Sequence, residues 1–359
     1  MDKVNGSGEK TNSRIESLDL LRSFAIFCVI LTHVTEYTYP INGYLSHRSV
    51  YSRLLALGLH TFGRLGVPIF FFLTGYLLLD RDYSGTKAVK FWKSHLLPMI
   101  ITSEIWGGIY FVYQITSTDA LYSVDSLLQE LLMFRQFDGS AFWYIPVIVG
   151  IYIFIPFVSY ALHMQADRKT FFVPLIFAFL FLFIPPVINM FRNLSGLDEI
   201  GTKIDFSFIG NAYGFLIILG YMIKKNMFNK VPKKLLTFIA VCAFVIIVIL
   251  RNRLCEIGHL VDVWYNSGLL LIIALSVFLC VLPIKQIHFK HMFEWISKNS
   301  FGMYLIHELF CKIFSNLIVV DHLWIKEIIL LVTVCGGTLA TVCLLGINKK
   351  VARIFLYAR

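Results

Sequence analysis

Arg22 and His33 stand eleven residues apart in "SLDLLRSFAIFCVILTHVTEY", residues 17–37, a stretch otherwise apolar enough to enter a membrane. At about 100° per residue, eleven steps leave only about 20° after whole turns, so the two share a helical face. Asp19 lies three residues before Arg22 and Glu36 three after His33, which extends one polar stripe along the helix. The rise of about 1.5 Å per residue puts His33 roughly 16 Å deeper than Arg22. Ionisable groups in a span are costly and face a bundle interior or a polar pathway. The chemistry open to this pair is a cation that binds an anionic group near one membrane face and an imidazole that takes a proton, or carries a group, deeper in. The plain structural alternative is an interfacial Asp19–Arg22 ion pair and a hydrogen bond from His33 to a neighbouring helix.

A second stretch, "LHTFGRLGVPIFFFLTGYLLL", carries His60 and Arg64 four residues apart on one face, near the expected depth of His33. Gly63, Gly66 and Pro68 would loosen the helix there. Arg64 suits a developing oxyanion or an acidic acceptor. In "SFGMYLIHELF", Ser300, Tyr304 and His307 share a face. Read as a span that begins at residue 300, this helix puts His307 in its inner half, nearer Arg22, in a packing or donor-positioning role. Lys90, Lys93 and His95 add cations at the start of the third span. "FWYIP" (142–146) and "DVWYN" (262–266) place Trp143, Tyr144 and Trp264 at helix ends, where aromatic belts form and where a sugar ring would stack.

These side chains need helices to hold them. Of the 359 residues, 57% are hydrophobic and only 15% charged, whereas soluble domains carry about 25% charged residues. The apolar excess falls in runs near the roughly 20 residues that cross a bilayer. The reading is an all-α polytopic membrane protein with about ten spans: 18–38, 57–79, 95–116, 142–162, 171–191, 206–223, 235–251, 264–283, 300–320 and 326–346. A transmembrane barrel would need short alternating strands, which the sequence lacks.

Positive charge selects the orientation. The first residues (Lys3, Lys10, Arg14), the 80–94 loop, the 224–234 loop, the 284–299 loop and the C-terminal segment with Arg359 are basic. All alternate onto one face, so both termini are expected in the cytoplasm of a cell-membrane protein. The opposite loops carry acids such as Asp119, Asp125, Glu130 and Asp138. The net charge of +10 is therefore a topology signal rather than a nucleic-acid surface. Residues 1–14 read as a flexible cytoplasmic tail and 15–359 as a single transmembrane domain. Seven scattered cysteines without CxxC spacing read as packing residues, and no zinc-type ligand spacing is present, so no catalytic metal is expected.

Up to this point two classes fit: a permease whose substrate crosses the bundle, and a transferase that meets a donor from one face and an acceptor from the other. Three stretches carry a resemblance that separates them. "SLDLLRSFAIFCVILTHV", "GVPIFFFLTGYLL" and "SFGMYLIHELF" resemble, in order, the opening helix, the "vPlFf-SGyll" helix and the late "S-giY-iH" helix of the membrane acyltransferase-3 family. "FWYIPVIVGIYIFIPFV" and "VDVWYNSGLLLIIAL" are most similar to the enterobacterial common antigen O-acetyltransferase branch. Two departures stand out. Ile148 and Val149 occupy the region where many relatives have Glu, and "KFWKSHLLP" replaces an Arg-x-Arg pair.

The resemblance implies transfer of an acyl group, usually acetyl, from cytoplasmic acyl-CoA to a hydroxyl of an envelope polysaccharide or lipid-linked glycan precursor. A small-metabolite acceptor is the alternative within the same chemistry. Acetyl-CoA would be a co-substrate, with no tightly bound cofactor. His33 would be the base or acyl carrier and Arg64 its catalytic partner. Arg22, Asp19, Lys90, Lys93 and His95 would serve the donor. Glu36, His60, Trp143, Tyr144, Trp264, Tyr304 and His307 would support the acceptor side. The sequence sets no oligomeric state.

Overall fold

The computed structural model describes residues 15–39, 44–117, 123–135, 141–164, 172–259 and 262–358. The tail read over 1–14, the acids Asp119 and Asp138, and Arg359 lie outside the described residues. Among those described, all regular structure is helical. Seven helical segments among the described residues are long and apolar enough to cross a membrane.

The first, α1 (Glu16–Thr38), is the centre of the bundle. In its most apolar window 78% of residues are buried, against 11% for α11 (Lys233–Glu256), whose Val241, Val245 and Ile249 point outward. In lipid an apolar residue gains little by turning inward. What locates a helix is therefore its polar and small residues, which need protein neighbours. α1 buries more polar residues than any other described helix: Ser17, Asp19, Ser23, Thr32, His33, Thr35 and Thr38.

Proline shapes the next two spans. The second span consists of α2 (Val50–Gly63) and α3 (Gly66–Leu78), starting earlier than the 57–79 reading. Ser49 caps α2 by accepting from the backbone N–H of Ser52. Pro68 has no N–H to give the carbonyl of Arg64 four residues back, and the helix breaks at Arg64–Leu65. The third span runs through α4 (Lys87–Phe91), a π-helical turn (Trp92–Leu96) and α5 (Leu97–Ser117). Here Pro98 withholds its N–H, and the chain takes a wider turn just before it. The same device recurs between α8 (Phe172–Ala178) and α9 (Ile184–Leu194), where a π-helical turn (Phe179–Phe183) precedes Pro185 and Pro186.

The remaining elements are α6 (Val124–Leu131), α7 (Tyr144–Met164), α10 (Asn211–Lys224), α12 (Gly268–Val281), α13 (Lys290–Leu317), α14 (Leu323–Gly346) and α15 (Lys349–Phe355). The spans read at 206–223 and 264–283 become helices α10 and α12 of 14 residues each, shorter than a full bilayer crossing. The span read at 300–320 is a longer helix whose first ten residues, "KHMFEWISKN", mix Lys290, His291, Glu294, Ser297, Lys298 and Asn299 with apolar side chains. α13 runs parallel to α1: Ser23 Oγ donates to the Phe293 carbonyl at 3.0 Å near one end, and Tyr37 Oη donates to Glu308 Oε1 at 2.9 Å near the other.

Candidate active site

The break at Arg64 lies against α1 because two glycines let it. A β-carbon on Gly63 would come within 2.4 Å of Thr32 Oγ1 and 2.8 Å of Thr32 N. One on Gly66 would come within 2.5 Å of the Ala25 carbonyl oxygen. The contact delivers His60 and Arg64 to Glu36, one turn beyond His33.

Glu36 is the common acceptor of this cluster. His33 Nδ1 donates to its Oε2 at 2.9 Å. His60 Nε2 and an Arg64 terminal nitrogen reach its Oε1 at 3.2 Å and 3.3 Å. The ring states follow from the partners. Arg251 approaches His60 Nδ1 at 3.2 Å, and a guanidinium only donates, so Nδ1 accepts and Nε2–H faces Glu36. By the same logic His33 gives its Nδ1–H to a carboxylate, which makes Nε2 the basic nitrogen of the neutral ring. Arg64 is tied further to Tyr265 Oη (3.0 Å) and Asp262 (2.6 Å), with its guanidinium over the Trp264 and Tyr265 rings.

His307 does not lie nearer Arg22, as a helix starting at residue 300 implied. α13 starts at Lys290, so His307 is further along it, and its ring centroid is 5.3 Å from that of His33. His307 Nδ1 donates to the Tyr304 carbonyl at 2.6 Å, and its buried Nε2 has no hydrogen-bond partner. Two imidazoles thus meet, each oriented through Nδ1. His33, His307 and Glu308 also offer ligand atoms all within 4.8 Å of one another, a group that could hold a metal ion. The expectation of no metal rested on linear spacing, to which this α1–α13 packing is invisible.

From the Arg22 end a cavity of about 470 Å³ extends to Val29 and Tyr304, one helical turn short of His33 and His307, neither of which lines it. Arg22, Arg81, His95 and Lys298 bring positive or protonatable groups to its wall, and Val29, Val67 and Phe70 give it an apolar stem. Tyr144 and Tyr304 line it too, and the Tyr304 ring lies 5.8 Å from that of His307. Arg22 reaches toward Ser297 Oγ at 3.5 Å. His95 is aimed inward from the π-helical turn, its carbonyl accepting from Tyr357 Oη at 3.0 Å. Lys90 and Lys93 are exposed and outside the cavity wall, and Asp19 is buried near the Arg22 end without lining it.

Beyond Tyr144 a row of rings continues. Tyr304 lies 5.6 Å from Tyr144, Tyr144 5.9 Å from Trp143, and Trp143 5.4 Å from Trp264. Trp264 and Asp262 then border a second cavity of about 320 Å³ at the other side of the row.

The residues that sequence reasoning passed over are Glu308, Arg251, Asp262, Tyr265, Arg81 and Lys298. Glu308 carried its own signal, as an acid inside an apolar helix. Arg251 did likewise at the end of α11. Asp262 and Tyr265 gave no signal beyond their place beside Trp264, since their partner Arg64 is about two hundred residues away.

No curated protein and no solved structure matches this chain. The sequence model of the acyltransferase-3 family, described as an acyltransferase domain, matches residues 15–347, nearly the whole chain. With apolar spanning helices built around a buried His–Glu cluster, the chain belongs to the acyltransferase-3 family of multi-pass membrane acyltransferases.

Proposed function

We propose that this protein moves an acyl group, acetyl in the first instance, from cytoplasmic acyl-CoA to a hydroxyl of a cell-envelope polysaccharide or its lipid-linked precursor. The observation that carries the reading is the 470 Å³ cavity, with its cationic rim at one end and Tyr304, against His307, at the other. Phosphates of CoA pair with Arg22, Arg81 and Lys298, and the pantetheine arm follows the apolar stem past Val29 and Phe70. A hydroxyl oxygen attacks the thioester carbonyl. The new C–O bond forms as the C–S bond breaks. His33 Nε2 takes the hydroxyl proton and gives it to the departing thiolate, which leaves as the CoA thiol.

Glu36 holds His33 in the required tautomer and stabilises the imidazolium that forms. Arg64 has both terminal nitrogens committed to Glu36, Asp262 and Tyr265. We therefore assign it the positioning of Glu36 rather than contact with the oxyanion. Acetyl-CoA serves as co-substrate, and no tightly bound cofactor enters the scheme.

The test uses purified protein, labelled acetyl-CoA and an envelope glycan extract. His33→Gln keeps polarity but cannot take the proton, and should slow transfer about 10²–10⁴-fold. His307→Gln should cost only about 2–10-fold, the worth of one hydrogen bond, since its ring is anchored to a carbonyl rather than a carboxylate. The reverse ranking at matched abundance would move the reacting centre to His307.

A further inference from the structure

We infer that the 320 Å³ cavity beside Trp264 is the acceptor subsite, and that it takes a neutral or amino sugar rather than an acidic one. The inference rests on the acyltransferase reading above and adds to it the place and the charge class of the acceptor.

The cavity has two unlike walls. Phe181, Leu182, Pro185 and Pro186 form an apolar side, and the partly exposed Trp264 ring stands at the margin. Facing them are hydrogen-bonding groups from two separate segments: Glu199 and Thr202 from the 195–206 loop, and Asp262, Asn266 and Ser267 from the segment before α12. A sugar has this division, with apolar C–H faces and a rim of hydroxyls. An indole takes the face while carboxylates and amides take the rim. Ser267 supplies a separate indication. Its side-chain oxygen is buried and has no hydrogen-bond partner, and the residue is only 3% exposed. A buried hydroxyl left unsatisfied costs free energy unless something arrives to pair with it.

The loop is built to stay in place. Asn189 bonds the Ile200 backbone twice, donating to its carbonyl at 2.8 Å and accepting from its N–H at 2.9 Å. Asn193 donates to Glu199 at 2.9 Å.

Charge gives the class. The wall contains two carboxylates, Glu199 and Asp262, and neither Lys nor Arg among the described lining residues. A uronic acid or a phosphate would meet like charge in the wall, and the nearest guanidinium, Arg64 behind Asp262, is already held by Asp262, Glu36 and Tyr265. Neutral hydroxyls, or an ammonium, would meet acceptors. The cavity is also joined to His33 by three contacts in series: Asp262 to Arg64 at 2.6 Å, Arg64 to Glu36 at 3.3 Å, and Glu36 to His33 at 2.9 Å. An acceptor that touches Asp262 therefore sits one short chain of charged groups from the base.

The test blocks the cavity from each wall. Gly201 lines the cavity and has open space where a β-carbon would go, so Gly201→Trp starts without a clash at its first carbon. Asn266→Trp fills the site from the opposite segment. Purified full-length protein would be assayed with labelled acetyl-CoA against two envelope fractions, one of solvent-extractable lipid-linked saccharide and one of polymeric glycan. Both variants should raise the apparent KM for the productive fraction by about tenfold or more, with KM for acetyl-CoA moving less than about twofold. The fraction that takes label identifies the acceptor's source. Mass spectrometry should then find the acyl group on a neutral or amino sugar.

An unchanged acceptor KM in both variants, or an equal rise in both KM values, would overturn the subsite. Label on a uronic acid would overturn the charge class. Failure of the unaltered protein to turn over acetyl-CoA with either fraction would instead remove the acyltransferase reading, and the subsite with it.

Discussion

Lys93 and Lys298 carry the same charge, and the turn of a helix gives them different work. Both are exposed, but Lys298 stands in the wall of the larger cavity, held at 2.6 Å by Glu294, whereas Lys93 lies outside it. Arg22→Ala, Arg81→Ala and Lys298→Ala should each raise KM for acyl-CoA, by an amount equivalent to about 1.5–3 kcal/mol for a lost charge-assisted contact. Lys93→Ala should leave it nearly unchanged. Steady-state kinetics on purified variants decides, and a large effect at Lys93 alone would put the phosphates elsewhere. The sequence offered Lys93 and His95 together, as the residues standing where many relatives have an Arg-x-Arg pair. The π-helical turn over Trp92–Leu96 presents His95 to the cavity and leaves Lys93 outside it. On α1, which winds without interruption, the stripe reasoning applied: Arg22 lines the cavity and His33 bonds Glu36 one turn on. Glu308 and Asp262 were hidden for a different reason. They meet His33 and Arg64 only through packing between distant segments, which no local period records.

At the scale of the element, the approach of the broken span to α1 is what builds the cluster, and two glycines of α2 behave oppositely in it. Gly63→Ala would drive a methyl into Thr32 and the Cys28 carbonyl, with contacts of 2.4–2.9 Å, two of them to backbone atoms that cannot swing aside. It should cost roughly 1–3 kcal/mol of stability and reduce transfer as Arg64 withdraws from Glu36. Gly58→Ala lies on the same helix with nothing within 4 Å, and should be neutral or stabilising by up to about 1 kcal/mol. Thermal unfolding in detergent, read alongside transfer, separates them; similar losses for both would mean that the α1 contact is not tight. Gly63, Gly66 and Pro68 marked a weak point here but could not show what lay opposite. It misjudged α13 for a related reason. Hydropathy detects the apolar part of a helix, so the polar first turns from Lys290 went unread and His307 was assigned too shallow a depth.

For the whole molecule, the basic segments gather at one end. Glu16 pairs with Lys290 at 3.2 Å, Asp80 with Lys225, and Tyr357 with the carbonyl of His95, while Arg22, Arg81 and Lys298 share a single cavity. On the proposed orientation this end is cytoplasmic. A reporter enzyme fused to the C-terminus should then be active only if it works in the cytoplasm, and activity on the outer side would reject the orientation. With the rings from Tyr304 to Trp264 standing between the two cavities, donor and acceptor would, on the proposed reading, approach from opposite sides, and only the acyl group would change hands. That separation has an electrical consequence. On the proposed reading a proton moves inward from the hydroxyl to the thiolate while the acyl group moves outward in its place, so the charge on each side is unchanged. Turnover would be electroneutral, and the voltage across the membrane would neither drive the transfer nor oppose it.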